Sequence, residues 1–344
     1  MIELRTPAEI EAMRPVGRFV AETLATLRDE TKVGTNLLAI DRRAHDLIKR
    51  AGAESCYIDY HPSFGASPFG KVICTSINDA VLHGLPHDYV LRDGDLVSLD
   101  FAVSVDGWVA DSAVSFVVGT ARDEDLRLID TAERALDAAI ATATVGHKIG
   151  DISAAIAAVA HGERYSINTD FGGHGVGRIM HGDPHIPNDG KAGRGYPLRA
   201  GLVVALEPWF LQTTDELITD PDGWTLRSAD GSRGAHAEHT VAVTADGPIV
   251  LTDRSFLGVP GAQTGRGMVS AIHNLARALS LECTIKGIEN DTQLLEVSLA
   301  GYRYAQGYLL ARPMPLDAVL MTLVERETRL PDTGAPSVRP ARRA

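Results

Sequence analysis

Two aspartates lie close together in a predicted β-hairpin in the first half of the chain. Residues 96–118 contain two apolar segments on either side of Asp106-Gly107, a dipeptide that favours a two-residue type I′ turn. With that turn, Asp100 and Asp111 point to the same face from neighbouring strands, about 7–8 Å apart at the backbone. Because an unpaired carboxylate in apolar surroundings costs several kcal/mol or takes up a proton, a bound cation is the expected partner.

The second half of the chain supplies two more acids in similar surroundings. The segment LRDGDLVSLD (91–100) matches LRAGLVVALE (198–207) without a gap, so Glu207 is the positional equivalent of Asp100, and Glu238 stands in an apolar strand pattern, HAEHTVAV. One such acid alone is more simply explained as a solvated or salt-bridged residue. Four carboxylates with one imidazole would form an oxygen-rich site that suits Mn, Fe or Co, and bridging carboxylates can hold two metals about 3.5–4 Å apart.

The imidazole could come from the stretch GGHGVGRIMHGDPH (172–185), which contains three histidines and five glycines. Its spacing fits neither the dinucleotide and Walker phosphate loops nor the zinc-binding His-Glu-x-x-His pattern. Glycines allow a backbone to come close to a ligand and to direct an imidazole into a cleft. For His181 and His185 taken alone, a buried structural role is the simpler interpretation. No chemical role is assigned to His185, which is therefore expected to be structural.

The elements that must position these residues follow from caps and periodicity. A capping box at Thr6 predicts a first helix to about residue 29, and a second helix ends at Gly52. A strand is predicted over 71–76, and further helices over 122–144 and 150–160.

An internal duplication relates the two halves. VGTNLLAIDRRA (33–44) resembles VGHKIGDISAAI (145–156), in the same order as the strand match above. The alternative, chance likeness between strands rich in Leu and Val, is weaker for two matches than for one. The duplication predicts an α+β fold with a pseudo-twofold axis, in which helices cover one face of a curved antiparallel sheet.

Charge and cysteine content exclude several classes of protein. The 344 residues carry a formal net charge of −12, which argues against specific nucleic-acid partners and anionic membranes. Three cysteines without metal-finger or redox-pair spacing favour a reducing compartment, and no apolar run approaches the roughly 20 residues of a membrane span. A cytoplasmic protein is expected.

Residues 1 to about 252 resemble the type I methionine aminopeptidases, which have the pita-bread metallopeptidase fold. The matching motifs are SINDAVLHG (76–84), LDFAV and ADSA with their aspartates eleven positions apart, GGHGVGR, LEP and AEHT. The resemblance implies a catalytic domain over 1–252 with two divalent ions, Co, Mn or Fe. It also implies the five metal ligands Asp100, Asp111, His174, Glu207 and Glu238, with Asp111 and Glu238 as bridges.

The resemblance further implies removal of the initiator methionine from nascent proteins with a small second residue, and adds the ribosome as a candidate partner. A metal-bridging hydroxide would attack the first peptide carbonyl, Glu207 would handle the proton, and His83 and His181 would contact substrate and stabilise the tetrahedral intermediate. Many relatives have Glu after the second histidine, where this chain has Gly182. The methionine pocket would be lined by Tyr60, Phe64, Cys74, Met180 and Trp224.

The C-terminal part resembles the end of an EAL-type cyclic-di-GMP phosphodiesterase domain. The segments DRSFLG (253–258) and YAQGYLLARPMP carry the likeness, but the Glu-Ala-Leu motif is missing, and Leu251 and Lys286 replace Lys and Glu of that family. We therefore expect a truncated, non-catalytic α/β fragment over 253–330 without cyclic-di-GMP hydrolysis, and a disordered Pro-rich tail over 331–344.

Three alternative functions remain at this point. A Xaa-Pro aminopeptidase would share the five ligands, although VLHG and SINDAV favour methionine. A peptide-binding pseudoenzyme of the same fold is less compatible with a complete ligand set. A cyclic-di-GMP binding module would rest on the C-terminal part alone.

Overall fold

The computed structural model describes residues 2–63, 65, 67–254, 284–286 and 304–306, and the chain divides into two units, Met1–Leu257 and Gly258–Ala344. The described helices are α1 Pro7–Glu30, α2 Leu37–Ala51, α3 Asp123–Thr142 and α4 Ile149–Glu163. The described strands are β1 Glu54–Ser55, β2 Cys74–Ile77, β3 Ala80–Leu82, β4 Asp95–Val105, β5 Trp108–Val118, β6 Gly172–Gly175, β7 Gly182–Pro187, β8 Val203–Leu206, β9 Trp209–Leu211, β10 Leu217–Thr219, β11 Leu226–Ser228, β12 Gly234–His236, β13 His239–Thr244, β14 Gly247–Val250, β15 Thr284–Lys286 and β16 Tyr304–Gln306.

The first two helices begin and end where their caps predict. Thr6 accepts a hydrogen bond from the backbone of Glu9 (3.3 Å), and the Glu9 carboxylate accepts one from the backbone of Thr6 (2.8 Å), which completes the capping box. Helix α2 ends at Gly52 with a φ of 66°, a left-handed conformation that glycine adopts without strain.

The β4–β5 hairpin has the register that its turn predicts. Asp106 and Gly107 both have positive φ values, 52° and 71°, as a type I′ turn requires. Val105 pairs with Trp108, and the ladder continues through the pair formed by Asp100 and Ala113. The hairpin prediction is therefore confirmed.

Two antiparallel sheets repeat the same arrangement. In the first, β4 lies between β5 on one edge and β1 and β2 on the other; in the second, the order is β14-β13-β8-β6-β7. Helices α1 and α2 share a buried core with β4 and β5, and α3 and α4 share another with β8 and β13. The predicted α+β fold with a duplicated helix-and-strand unit is confirmed.

Some boundaries differ from the sequence expectations. The strand predicted over 71–76 is observed at Cys74–Ile77. Asp100 lies inside the long strand β4, whereas its equivalent Glu207 follows the end of the short strand β8. The difference arises because β4 continues into a two-residue hairpin and β8 does not.

Hydrogen bonds between strand β5 and the segment 236–240 join the two halves of the first unit. The backbone N–H of Asp111 donates to the Thr240 hydroxyl (2.9 Å), which in turn donates to the Asp111 carbonyl (2.8 Å). The Ser112 hydroxyl donates to the carbonyl of Glu238 (2.6 Å). We call this contact the central seam; it brings acids from both halves of the duplication together.

In the second unit, β15 and β16 pair in parallel, as strands of α/β proteins do. The other elements expected over 253–330 and the tail over 331–344 lie outside the described residues, apart from Asp253 and Arg254. Among the described helices, none is long and apolar enough to cross a membrane. The division into a catalytic domain over 1–252 and a non-catalytic fragment stays a prediction.

Candidate metal centre

A cavity of about 700 Å³ opens between the two sheets, and all five expected metal ligands line it. Asp100 and Asp111 come from the β4–β5 hairpin, as their common face predicts. His174 lies in β6, where it pairs with Ala205 of β8. Glu207 and Glu238 stand next to the paired ends of β8 and β13. Segments spread over residues 100–238 thus bring their side chains to one place.

The side chains are close enough to share bound ions. His174 Nε2 lies 3.6 Å from a Glu207 oxygen and 3.9 Å from an Asp111 oxygen. The phenol of Tyr57 donates to Asp100 (2.6 Å) and lies 3.3 Å from an oxygen of Asp111. The two aspartates of the hairpin therefore share one donor, and both are held facing the cavity.

Burial makes the ionised form of this acid cluster costly. It raises the pKa of Asp100 to about 6 and that of Glu207 to about 8, the latter helped by the negative charge of Asp100. Burial and the neighbouring carboxylates raise the pKa values of Asp111 and Glu238 well above their usual range. Because unpaired buried carboxylates take up protons, a divalent cation would relieve the repulsion and displace those protons.

Two buried atoms in and next to the acid cluster support the fit to a metal. Glu238 Oε1 and His236 Nε2 have no hydrogen-bond partner among the described residues, which is rare for buried polar atoms. Burial also lowers the pKa of His174 to about 3, which leaves its ring neutral and able to ligate a metal. The donor set, mainly carboxylate oxygen with imidazole, suits Mn, Fe or Co.

The two histidines expected to contact substrate lie in the cavity lining. The ring of His181 lies edge-on to that of His174, with centroids 4.4 Å apart, and its Nδ1 is 2.9 Å from the hydroxyl of Tyr60. His83 packs edge-on against Phe171 at 5.1 Å, and burial lowers its pKa to about 4. Both side chains therefore line the same cavity as the acids.

An aromatic wall bounds one side of the cavity. The lining includes Tyr60, Cys74, Met180 and Trp224, four of the five residues expected in the methionine pocket; the fifth, Phe64, lies outside the described residues. Trp224 contacts Tyr60 and Phe69, with ring centroids 6.2 Å and 5.1 Å apart. Cys74 lies directly opposite Asp100 in the sheet, so the wall adjoins the acids.

The sequence reasoning missed three residues of the site. Tyr57 and Phe69 gave no signal, because they lie in an irregular segment without periodicity. His236 could have been found, since it stands two residues before Glu238 in a strand-like segment, where alternate residues share a face. His185, expected to be buried and structural, is instead exposed and lines the cavity.

Comparisons with known proteins agree with this geometry. The sequence pattern of metallopeptidase family M24 matches residues 11–245, and that of the EAL domain matches residues 232–313. Methionine aminopeptidase 1 of Mycobacterium tuberculosis is 42% identical over 259 residues, 73% of this chain and 95% of that protein. Methionine aminopeptidase of Aquifex aeolicus is 40% identical over 257 residues, 73% of this chain and 99% of that protein.

Solved structures show the same fold. The crystal structure of methionine aminopeptidase from Rickettsia prowazekii superposes with a TM-score of 0.70 at 35% identity, covering 74% of this chain and 100% of that one. Prolidase from Pyrococcus furiosus superposes with a TM-score of 0.57 at 21% identity, covering 73% of this chain and 65% of that one. At that identity the prolidase supports the fold alone.

Proposed function

The chain belongs to metallopeptidase family M24, and we propose that it is a methionine aminopeptidase, which removes the initiator methionine from nascent proteins whose second residue is small. One observation carries this proposal: four acids and an imidazole meet beside an aromatic pocket, in a chain about 40% identical to proteins named methionine aminopeptidase. The Xaa-Pro alternative is less favoured, because the prolidase of Pyrococcus furiosus, at 21% identity, supports the fold alone.

In this proposal, Asp100, Asp111, His174, Glu207 and Glu238 would hold two divalent ions, and Asp111 and Glu238 would be the two shared carboxylates. When bound, the ions would polarise the substrate carbonyl and lower the pKa of a water molecule. Asp111 and Glu238 suit a bridging role because the central seam ties their backbones to each other's strand. The protein thereby fixes the two bridging carboxylates as a unit.

The neutral imidazoles of His83 and His181 would act on the substrate carbonyl. Burial lowers the pKa values of both rings, so that near pH 7 each carries one N–H and can donate it to an oxygen that gains negative charge. Tyr60 lies within hydrogen-bond distance of His181 Nδ1, which leaves the other ring nitrogen free to face substrate. Glu207, whose pKa burial raises, would carry the proton toward the leaving amine.

The aromatic wall suits the side chain of methionine. A thioether is flexible and polarisable, and it makes favourable contacts with the edges of aromatic rings. Tyr60, Phe69 and Trp224 present such rings, and Met180 and Cys74 add soft sulfur atoms. The adjacent carboxylates attract the positively charged N-terminal amine, which favours the first residue of a chain over an internal one.

The substrate would therefore be the N-terminal methionine of nascent polypeptides, which places the enzyme in the cytoplasm, with the ribosome as a candidate partner. The fragment over 253–330 lacks the metal-binding motif of the domain it resembles, so the full chain should not hydrolyse cyclic-di-GMP. Incubation with the dinucleotide and chromatography of the products tests that expectation.

The central test is release of methionine from the peptide Met-Ala-Ser by the full chain, after chelation and reloading with Mn, Fe or Co. We expect turnover by the loaded protein and loss of at least a hundredfold in Asp100→Ala, while Asp46→Ala, an exposed acid of α2, retains the wild-type rate. A parallel Xaa-Pro peptide should not be cleaved. The proposal would be contradicted if no methionine were released with Mn, Fe or Co, or if Asp100→Ala released methionine as fast as the wild type.

A further inference from the structure

We propose that His236 is a sixth metal ligand, which supplies a second imidazole on the Asp100 side of the centre. This inference rests on the metal centre proposed above. It concerns a residue that neither the sequence motifs nor the five expected ligands include, and it is carried by the burial, the contacts and the position of one ring nitrogen.

The His236 ring is buried and held from its backbone. Its relative exposure is 2%, and its Nε2 has no hydrogen-bond partner among the described residues. The Ser115 hydroxyl accepts from the His236 N–H (2.9 Å) and lies 2.7 Å from its carbonyl oxygen. On the other side, His236 pairs with Trp209 in β9. The backbone is therefore fixed by partners on both sides, while the ring nitrogen is left without one.

Two carboxylate oxygens face that nitrogen at a distance typical of ligands on a common ion. His236 Nε2 lies 3.7 Å from an oxygen of Glu238 and 3.8 Å from an oxygen of Glu207. These distances are too long for hydrogen bonds. Two ligand atoms each about 2.1 Å from one ion can lie up to about 4.2 Å apart, so both distances leave room for an ion between them.

The potential ligand atoms form three groups, and in each group they lie within 4.8 Å of one another. Asp111, His174 and His181 form the first, His174, Glu207 and Glu238 the second, and Asp100, His236 and Glu238 the third. The second and third groups share Glu238 and contain one imidazole each. With His236 as a ligand, both ions have a nitrogen donor, whereas without it the ion beside Asp100 would have oxygen donors only.

The second imidazole has a consequence for metal choice. Imidazole suits later divalent metals such as Fe, an all-oxygen set suits Mn and Mg, and affinity for a given N or O site rises from Mn²⁺ to Co²⁺. We therefore expect the Asp100-side ion to be bound more tightly as Co²⁺ than as Mn²⁺, and replacement of His236 to reduce that difference. A merely structural His236 would affect folding without changing the relative affinity for the two metals.

The test is calorimetric titration of the chelated full chain with Co²⁺ and with Mn²⁺, together with the visible spectrum of the cobalt form. In His236→Gln, the dissociation constant of one of the two cobalt sites should rise at least tenfold, with a changed cobalt spectrum. His185→Gln is the matched control, because it alters a histidine that lines the cavity but belongs to none of the ligand groups. Its cobalt spectrum should match that of the wild type.

X-ray absorption at the cobalt edge gives a readout that needs no variant and so does not depend on the folding of His236→Gln. Wild-type protein loaded with two cobalt ions should show scattering from two imidazole rings per pair. One ring per pair, or cobalt affinities unchanged in His236→Gln, would overturn the inference and leave the five-ligand centre standing. Failure of the wild type to bind either ion would overturn both.

Discussion

Replacing Thr240 by valine should destabilise the first unit through the central seam. The Thr240 side chain is fully buried, and its hydroxyl both accepts from the N–H of Asp111 and donates to the Asp111 carbonyl. In the hairpin register, these two Asp111 groups point away from β4, so β4 cannot satisfy them. Valine fills the same space without making either bond.

The expected cost follows from these two groups. A buried polar group left without a partner costs about 1–3 kcal/mol, and no large cavity is created, so Thr240→Val should lower the free energy of unfolding by about 2–4 kcal/mol. Urea denaturation followed by tryptophan fluorescence measures this unit directly, because all three tryptophans, at 108, 209 and 224, lie in it.

Thr240→Ser is the matched control, because serine keeps the hydroxyl and loses only a methyl group. It should lie within about 1.5 kcal/mol of the wild type. Thr240→Val should also weaken cobalt binding, because Asp111 loses the contact that positions its backbone. If Thr240→Val were as stable as Thr240→Ser, the inference that these two bonds hold the seam together would be wrong.

Three further outcomes are expected. The chelated protein should lose stability as pH rises from about 7 to about 8, above the range in which histidines titrate, because folded Glu207, with a pKa of about 8, still holds a proton that the unfolded chain has released. Urea midpoints at pH 7 and pH 8 test this, and a midpoint that rises with pH would contradict it. Tyr60→Phe should lower kcat/KM for Met-Ala-Ser about fivefold with an unchanged unfolding midpoint, since one neutral hydrogen bond to His181 is lost. An unchanged kcat/KM would show that this hydrogen bond does not orient the His181 ring. Gly175→Ala should destabilise the protein by more than about 3 kcal/mol, because its Cβ would collide with the backbone of the facing strand β7. Gly162→Ala, in open space on α4, should instead stabilise the protein by about 1 kcal/mol. Equal thermal stability of the two variants would refute the packing argument.

The features that the sequence predicted well are those set by neighbouring residues. The Asp106-Gly107 turn determines the hairpin register, and a register of period two determines which side chains share a face. Asp100 and Asp111 could therefore be placed together from the sequence alone. The capping box at Thr6 is equally local, since it involves groups only three residues apart.

The role of the glycine-rich stretch 172–185 was harder to predict from the sequence. Its pattern excluded phosphate loops and the zinc motif, but nothing local separated its three histidines. His174 reaches the acids because β6 pairs with β8 on one side and β7 on the other, and these partners lie far away in sequence. The resemblance to a known family assigned His174 and His181 their roles, and the fold places both rings at the cavity.

The sequence by itself determined the elements, the duplication and the four acids, because capping, turn geometry and alternation act over a few residues. Only the tertiary structure decided how the halves meet: Asp111 and Thr240 bond across the central seam although 129 positions separate them. The same contact places His236 close to Glu207 and Glu238. No local pattern encodes such a contact, since its formation depends on two complete sheets packing against each other, and the closeness of His236 to the acids therefore became visible only in the folded chain.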